Sequence, residues 1–163
     1  IKKPASILKK MQKKGYKLSV ASIKDNLNDI AGIRVVCSFI DDIYSVAEML
    51  TYQDDVTVLE VKDYIKNPKE NGYRSYHMII NYKVNTIHGN KTIQAEIQIR
   101  TLAMNFWAST EHQLRYKKDI EFTEEMHNEL RHCSELMAEA DERMQKLAEQ
   151  LPAFTQSDVA YSK

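Results

Sequence analysis

The chain has 163 residues, 43% of them apolar and 28% charged, enough to bury one real core and too few for two comfortable domains. Its 23 basic and 23 acidic side chains cancel to a formal net charge of zero, which argues against a globally basic nucleic-acid binder. No apolar run reaches the length of a membrane span, the Lys-rich start lacks the apolar stretch of a signal peptide, and two cysteines make no disulfide framework, so the expected compartment is the cytoplasm.

The charge is unevenly spread. Between Ile1 and Lys24 stand eight lysines and no acid, whereas Asp119 to Glu149 holds ten acids against Arg131, Arg143 and Lys146. A basic end that recruits a polyphosphate stays open on this distribution. An opening Ile1 in place of Met points to a natural N-terminal piece beyond it.

In chain order, Pro4 suits the first position of a helix running to about Lys14 and stopped by Gly15, with Ile7, Leu8 and Met11 as its apolar stripe. Lys2, Ser6 and Lys10 recur every four residues along one flank. They read either as a phosphate cradle at a helix start or as a solvated lysine face. A second helix, capped by Ser19 or Ser22, is expected to run through Asn28. Asp29 then opposes the helix dipole, a cost that a bound cation would offset, or it is simply an exposed helix-end acid. "GIRVVCSF" predicts a strand bearing Arg34, and "DDIYSVAEMLTY" a helix capped by Asp41.

"VTVLEVKDYI" alternates as a strand. "NPKENGYRSYH", 67–77, makes a turn and enters the next strand with almost nothing apolar except rings. Lys69, Tyr73, Arg74 and His77 offer cations, a ring to stack on and hydrogen-bond donors, a mixture that suits an anionic, aromatic ligand such as a nucleotide. "RSYHMIINYKV" continues as a strand and His88-Gly89-Asn90 as a turn. In "TIQAEIQIR", Ile93, Ala95, Ile97 and Ile99 face one way, while Gln94, Glu96, Gln98 and Arg100 face the other. That polar side is either open to water or, beside Tyr73, Ser75 and His77 of the neighbouring strand, the floor of a cleft. Asp29 and Glu96 would make a two-carboxylate Mg²⁺ pair if their strands are adjacent.

Two long helices follow, about 102–118 and 121–150. In the first, Met104, Trp107 and Ala108 read as core, with Asn105, Ser109, His112 and Tyr116 along another stripe. In the second, Met126, Leu130, Cys133, Met137, Ala140, Met144, Leu147 and Leu151 follow a heptad seam that packs back on the domain or joins another subunit. The order of elements predicts an α+β fold: one mixed sheet flanked by helices, with long C-terminal helices. The expected division is a catalytic domain over 1–118, a packing or oligomerisation helix over 119–151 and a frayed tail over 152–163. No Gly-rich phosphate loop or nucleophile elbow occurs.

"DIAGIR" at 29–34, "DYIKNPKENGYRSYH" at 63–77 and "EIQIRTLAMNFWASTEH" at 96–112 together resemble the synthetase domain of the RelA/SpoT family, in its small single-domain alarmone synthetases. The resemblance implies a nucleotidyltransferase-like fold and a GTP pyrophosphokinase. Such an enzyme moves the β,γ-pyrophosphate of ATP to the 3′-hydroxyl of GDP or GTP and makes the stringent-response alarmone (p)ppGpp. It further implies Mg²⁺ as cofactor on Asp29, with Glu96 as the second metal ligand or as the base that activates the 3′-hydroxyl. ATP would lie on Lys2, Ser6, Lys10 and Arg34, with half of the family's adenine clamp falling one position before Ile1. Lys69, Tyr73, His77, Gln98 and Asn105 would bind GDP or GTP, with Tyr73 stacking on guanine. The implied partners are ATP and GDP or GTP as substrates and further copies of the chain in a homotetramer; RNA or the alarmone at an allosteric site would be additional ones. Nothing in these residues resembles a His-Asp hydrolase region, so synthesis without degradation is expected. "EVKD" at 60–63 mixes the acidic and basic variants of a segment that tracks catalytic type in long relatives, and assigns nothing. The competing reading is a catalytically silent nucleotide sensor or RNA-binding module on the same fold.

Overall fold

In the computed structural model, residues 8, 11–13, 15–19, 22, 31–87, 89–116 and 122–151 are described. Lys2, Ser6, Lys10 and Asp29, and most of the two N-terminal helices expected from the sequence, lie outside them.

The expected mixed sheet is present. Strands β1 (Ala31–Cys37), β2 (Val56–Asp63), β3 (Tyr76–Thr86) and β4 (Gly89–Thr101) lie in the order β1-β4-β3-β2. β1 runs parallel to β4, whereas β2, β3 and β4 form an antiparallel meander. The alternation of 92–100 is realised in full register: Ala95, Ile97 and Ile99 are buried on one face. Helix α1 (Ile40–Thr51) contributes Ile43 and Ala47 to that side, where Met78, Ile80, Ile65 and Met104 complete the core. Each Ile or Met side chain so removed from water stabilises the fold by about 1.5–3 kcal/mol. Ile93 shares the face but lies near its end and is 45% exposed.

Several boundaries differ from expectation for local reasons. β3 begins at Tyr76, two residues after Arg74, because Gly72 at φ +87° and the hydrogen bond from Lys69 N–H to the Tyr73 carbonyl (3.2 Å) hold the preceding residues in a turn. Gly89 and Asn90 already pair with Thr86 and Asn85, so the hairpin loop is tighter than His88-Gly89-Asn90; His88 itself lies outside the described residues. Helix α1 starts one residue before Asp41, and the side chain that reaches back is Asp42, whose Oδ2 accepts the Phe39 N–H at 3.0 Å.

The strand β2 carries a bulge between Val58 and Glu60. Before it, Val58 stands opposite Ile80 on the core side; after it, Val61 opposes Met78 and Lys62 opposes His77. One inserted residue thus turns Glu60 and Lys62 to the polar face, where straight alternation would have aimed them at the core.

Helix α2 (Leu102–Tyr116) buries Met104, Trp107 and Ala108, as expected. Helix α3 (Glu124–Gln150) opens on Thr123, whose side chain accepts the Met126 N–H. Its heptad seam is not its buried line. Leu130, Cys133 and Met137 are half-buried, but Met126, Ala140, Met144, Leu147 and Leu151 are exposed, and the fully buried positions are Ser134 and Asp141. The helix packs through a stripe about a quarter of a turn from the seam, the side on which its hydrogen bonds to the domain lie. No helix among the described residues is long and apolar enough to cross a membrane.

Candidate active site

The polar face of the sheet carries one continuous hydrogen-bonded chain. Arg100 Nη2 donates to the Tyr73 hydroxyl at 2.6 Å and to Gln98 Oε1 at 3.0 Å, while its Nε donates to Ser75 Oγ at 3.2 Å. The Tyr73 hydroxyl lies 2.9 Å from His77 Nε2, and His77 Nδ1 lies 2.9 Å from Glu96 Oε1. With Nδ1 carrying the ring proton, the direction is consistent throughout: Arg100 to Tyr73, Tyr73 to His77, His77 to Glu96.

Register explains why these side chains meet. His77 pairs with Gln98, and Glu96 lies one step further along β4 on the same face. On the other side of β4, Arg34 pairs with Gln98 and Gly32 with Glu96. Residues of three chain segments far apart in sequence therefore stand within a few strand positions of one another.

An aromatic wall closes one end. The Tyr73 ring meets Tyr64 at 6.0 Å, His77 at 5.8 Å and Trp107 at 6.5 Å, all edge-on, and Tyr64 meets His77 at 5.3 Å. Lys69 Nζ stands over the rings of Tyr64 and Tyr73 at 4.6 and 4.9 Å, and Arg100 over Tyr73 at 5.2 Å. Cations on tyrosine faces are held by the ring quadrupole; exposed Lys69 stays available to an anion, whereas Arg100 is committed to its hydrogen bonds.

Arg100 is only 4% exposed. Burial pulls its guanidinium down from the ordinary arginine value; the Tyr73 hydrogen bond opposes this and the charge of Arg34 adds to it. Lys62, brought to this face by the bulge, is pushed up, chiefly by its hydrogen bond to Glu60 and in part by Glu96. The face therefore holds Lys62, Lys69, Arg34 and Arg100 around Glu60 and Glu96, a surplus of cations suited to phosphates.

Of the candidates read from the sequence, Tyr73, His77, Glu96 and Gln98 fall into one network, with Lys69 on its ring wall and Arg34 on the adjoining strand. Asn105 stands apart: its Oδ1 is buried without a hydrogen-bond partner. Lys2, Ser6, Lys10 and Asp29 lie outside the described residues. Sequence reasoning placed Arg100 and Ser75 on the face without a role, left Tyr64 and Lys62 unassigned, and read Trp107 as core alone. The alternation already pointed to Arg100; for Lys62 no signal existed without the bulge. Glu96 is a partly exposed carboxylate among these cations, an oxygen donor of the kind a hard divalent cation takes.

Residues 1–121 match the pattern described as the region found in RelA / SpoT proteins. The chain is 43% identical over 144 residues to the GTP pyrophosphokinase YwaC of Bacillus subtilis strain 168, covering 88% of this chain and 69% of that protein. It is 44% identical over 147 residues to the GTP pyrophosphokinase YjbM of the same organism, covering 90% and 68%. The fold superposes on the small alarmone synthetase 1 of Bacillus subtilis bound to its product pppGpp with a TM-score of 0.81 at 44% identity, over 91% of this chain and 75% of that one. The matched residues 1–121 span the three motifs and the sheet that carries them: the protein belongs to the RelA/SpoT family.

Proposed function

We infer that the protein is a (p)ppGpp synthetase, a GTP pyrophosphokinase that transfers the β,γ-pyrophosphate of ATP to the 3′-hydroxyl of GDP or GTP. The observation that carries this reading is the chain from Arg100 through Tyr73 and His77 to Glu96, which ties a ring able to stack on a base to a carboxylate able to take a proton.

In this reading guanine stacks on Tyr73, worth about 1–3 kcal/mol per base. Lys69, His77, Gln98 and Asn105 hold the rest of the guanine nucleotide, and Arg34 with Lys2, Ser6 and Lys10 holds ATP. The 3′-oxygen attacks the β-phosphorus of ATP, the bond from that phosphorus to the α–β bridging oxygen breaks, and AMP leaves. Glu96 accepts the 3′-hydroxyl proton, and His77 fixes the carboxylate by donating to Oε1. Glu96 and Asp29 would hold Mg²⁺, which when bound neutralises charge across the ATP phosphates. Positioning and charge carry such a reaction, because phosphoryl-type transfer leaves the protein little covalent work.

The cytoplasm is the compartment that fits two unpaired cysteines and these substrates. The exposed stripe Met126, Ala140, Met144, Leu147 and Leu151 supports association of α3 with a second copy, within a homotetramer. Light scattering at micromolar concentration reads this directly, and a single monomeric mass would remove it.

The decisive test incubates the protein with labelled ATP, GDP and Mg²⁺ and separates the nucleotides. AMP and a guanosine tetraphosphate are expected in equal amounts. Glu96→Gln should lower the rate about 10²- to 10⁴-fold with the circular dichroism spectrum unchanged. Nucleotide binding without AMP release would point to the sensor, and an unaffected Glu96→Gln rate would remove the base.

A further inference from the structure

Helix α3 meets the rest of the molecule along one polar line. The Leu130 carbonyl accepts from Trp107 Nε1 at 2.8 Å, and Ser134 Oγ donates to the Gly72 carbonyl. Asp141 Oδ2 accepts from Thr101 Oγ1 at 2.6 Å, and Gln145 accepts from the Asp41 N–H at 3.2 Å and donates to Asp41 Oδ2 at 2.8 Å. Intervals of four, seven and four residues keep all of these on one side of a helix.

Of these, the Ser134 bond is the one that reaches the loop 64–75, which carries Lys69 and Tyr73. Beside it, loop and helix are parted by a cleft of about 470 Å³, lined by Lys66, Pro68, Arg131, Glu135 and others, so on that side the loop is joined to the helix by this bond rather than by packed side chains. The pin is close: a Cβ on Gly72 would stand 2.6 Å from Ser134 Cβ and 2.9 Å from its Oγ, and Gly72 adopts a φ of +87°. The turn behind it is short, with Gly72 N–H donating to the Lys69 carbonyl at 2.8 Å and Tyr73 N–H to Asn71 Oδ1 at 3.2 Å. A shift at Gly72 is therefore handed straight to the Tyr73 ring one residue on, whose hydroxyl holds Arg100 and His77.

We propose that Ser134, a 5% exposed residue on α3, is a positioning residue for the guanine nucleotide: by holding the Gly72 carbonyl it sets where Tyr73 and Lys69 stand, without touching the nucleotide itself. The proposal rests on the reading of Tyr73 and Lys69 as the guanine-nucleotide site. It gives the C-terminal helix a part in substrate recognition, and it separates the two substrates, because among the described residues α3 forms no hydrogen bond to Arg34 or β1.

The test measures KM for GDP and for ATP separately. Ser134→Ala leaves the Gly72 carbonyl half-buried and without its donor, and should raise KM for GDP about tenfold with KM for ATP within about twofold. Ser134→Thr, which keeps the hydroxyl, should restore most of the loss. Should Ser134→Ala fail to fold, Gly72→Ala displaces the same contact from the loop side, and the same selective rise is expected. A rise shared equally by the two substrates, or no rise, overturns the proposal. If the wild-type protein forms no AMP, the functional reading falls first; if it turns over normally and only the Ser134 variants keep their KM for GDP, this inference falls alone.

Discussion

The two faces of β4 are built from neighbouring residues and answer to different physics. Ala95, Ile97 and Ile99 meet Met78, Ile80, Ile43 and Ala47 and are chosen for volume and lack of polarity. Glu96, Gln98 and Arg100, each one position away, are held by donors and acceptors at 2.6–3.2 Å. On the core face, a change is felt as lost burial and an unfilled cavity. On the polar face it is felt as a buried group left without a partner, which costs more than its own bond is worth. Stability and chemistry are thereby separable at adjacent positions, although one strand carries both.

That separation can be broken first on the core side. Ile97→Ala should cost about 2–5 kcal/mol of stability, read as an earlier midpoint in urea unfolding, while kcat measured well below the transition stays within a few-fold of wild type. A collapse of kcat in folded Ile97→Ala would show that the faces are coupled through the strand.

A smaller change sharpens the other side. Tyr73→Phe keeps the ring for stacking but removes the hydroxyl between Arg100 and His77. KM for GDP should move less than about threefold, while kcat falls about tenfold because His77, and with it Glu96, loses a fixed orientation. Tyr73→Ala in the same assay should keep the fall in kcat and add a weakening of guanine-nucleotide binding by about 1–3 kcal/mol. If Tyr73→Phe left both constants alone, the hydrogen-bonded chain would be structural only.

Much of this was legible in the residues. The period of two in 92–100 predicted both faces of β4, and the ring-rich run 73–77 predicted that something other than core lay on the neighbouring strand. What stayed hidden depends on contacts between distant segments. The bulge at Leu59 leaves no mark in "VTVLEVKD", yet it decides that Lys62 faces His77. Heptad spacing in α3 correctly showed an apolar stripe, but it could not show that Ser134 and Asp141, both polar, would be the buried line, because Gly72 and Thr101 supply their partners from 62 and 40 residues away. Asp42 rather than Asp41 caps α1 for a similar reason: which acid reaches back depends on where the helix starts, and spacing alone fixes that only to within a residue.

The parallel pairing of β1 with β4 has a consequence for how the molecule is assembled in time. β3 and β4 join through a tight hairpin, and β2 reaches β3 through the loop 64–75, so the three can zip as a meander, but Ala31 finds Ala95 only after α1 and the whole meander have been laid down. Loop closure of that length is slow and is repaid late, so the edge strand with Arg34 docks near the end of folding. A nascent chain would display the Tyr73–Glu96 half of the cleft before the Arg34 half, and the two halves would become one cleft only when the last strand closes the sheet.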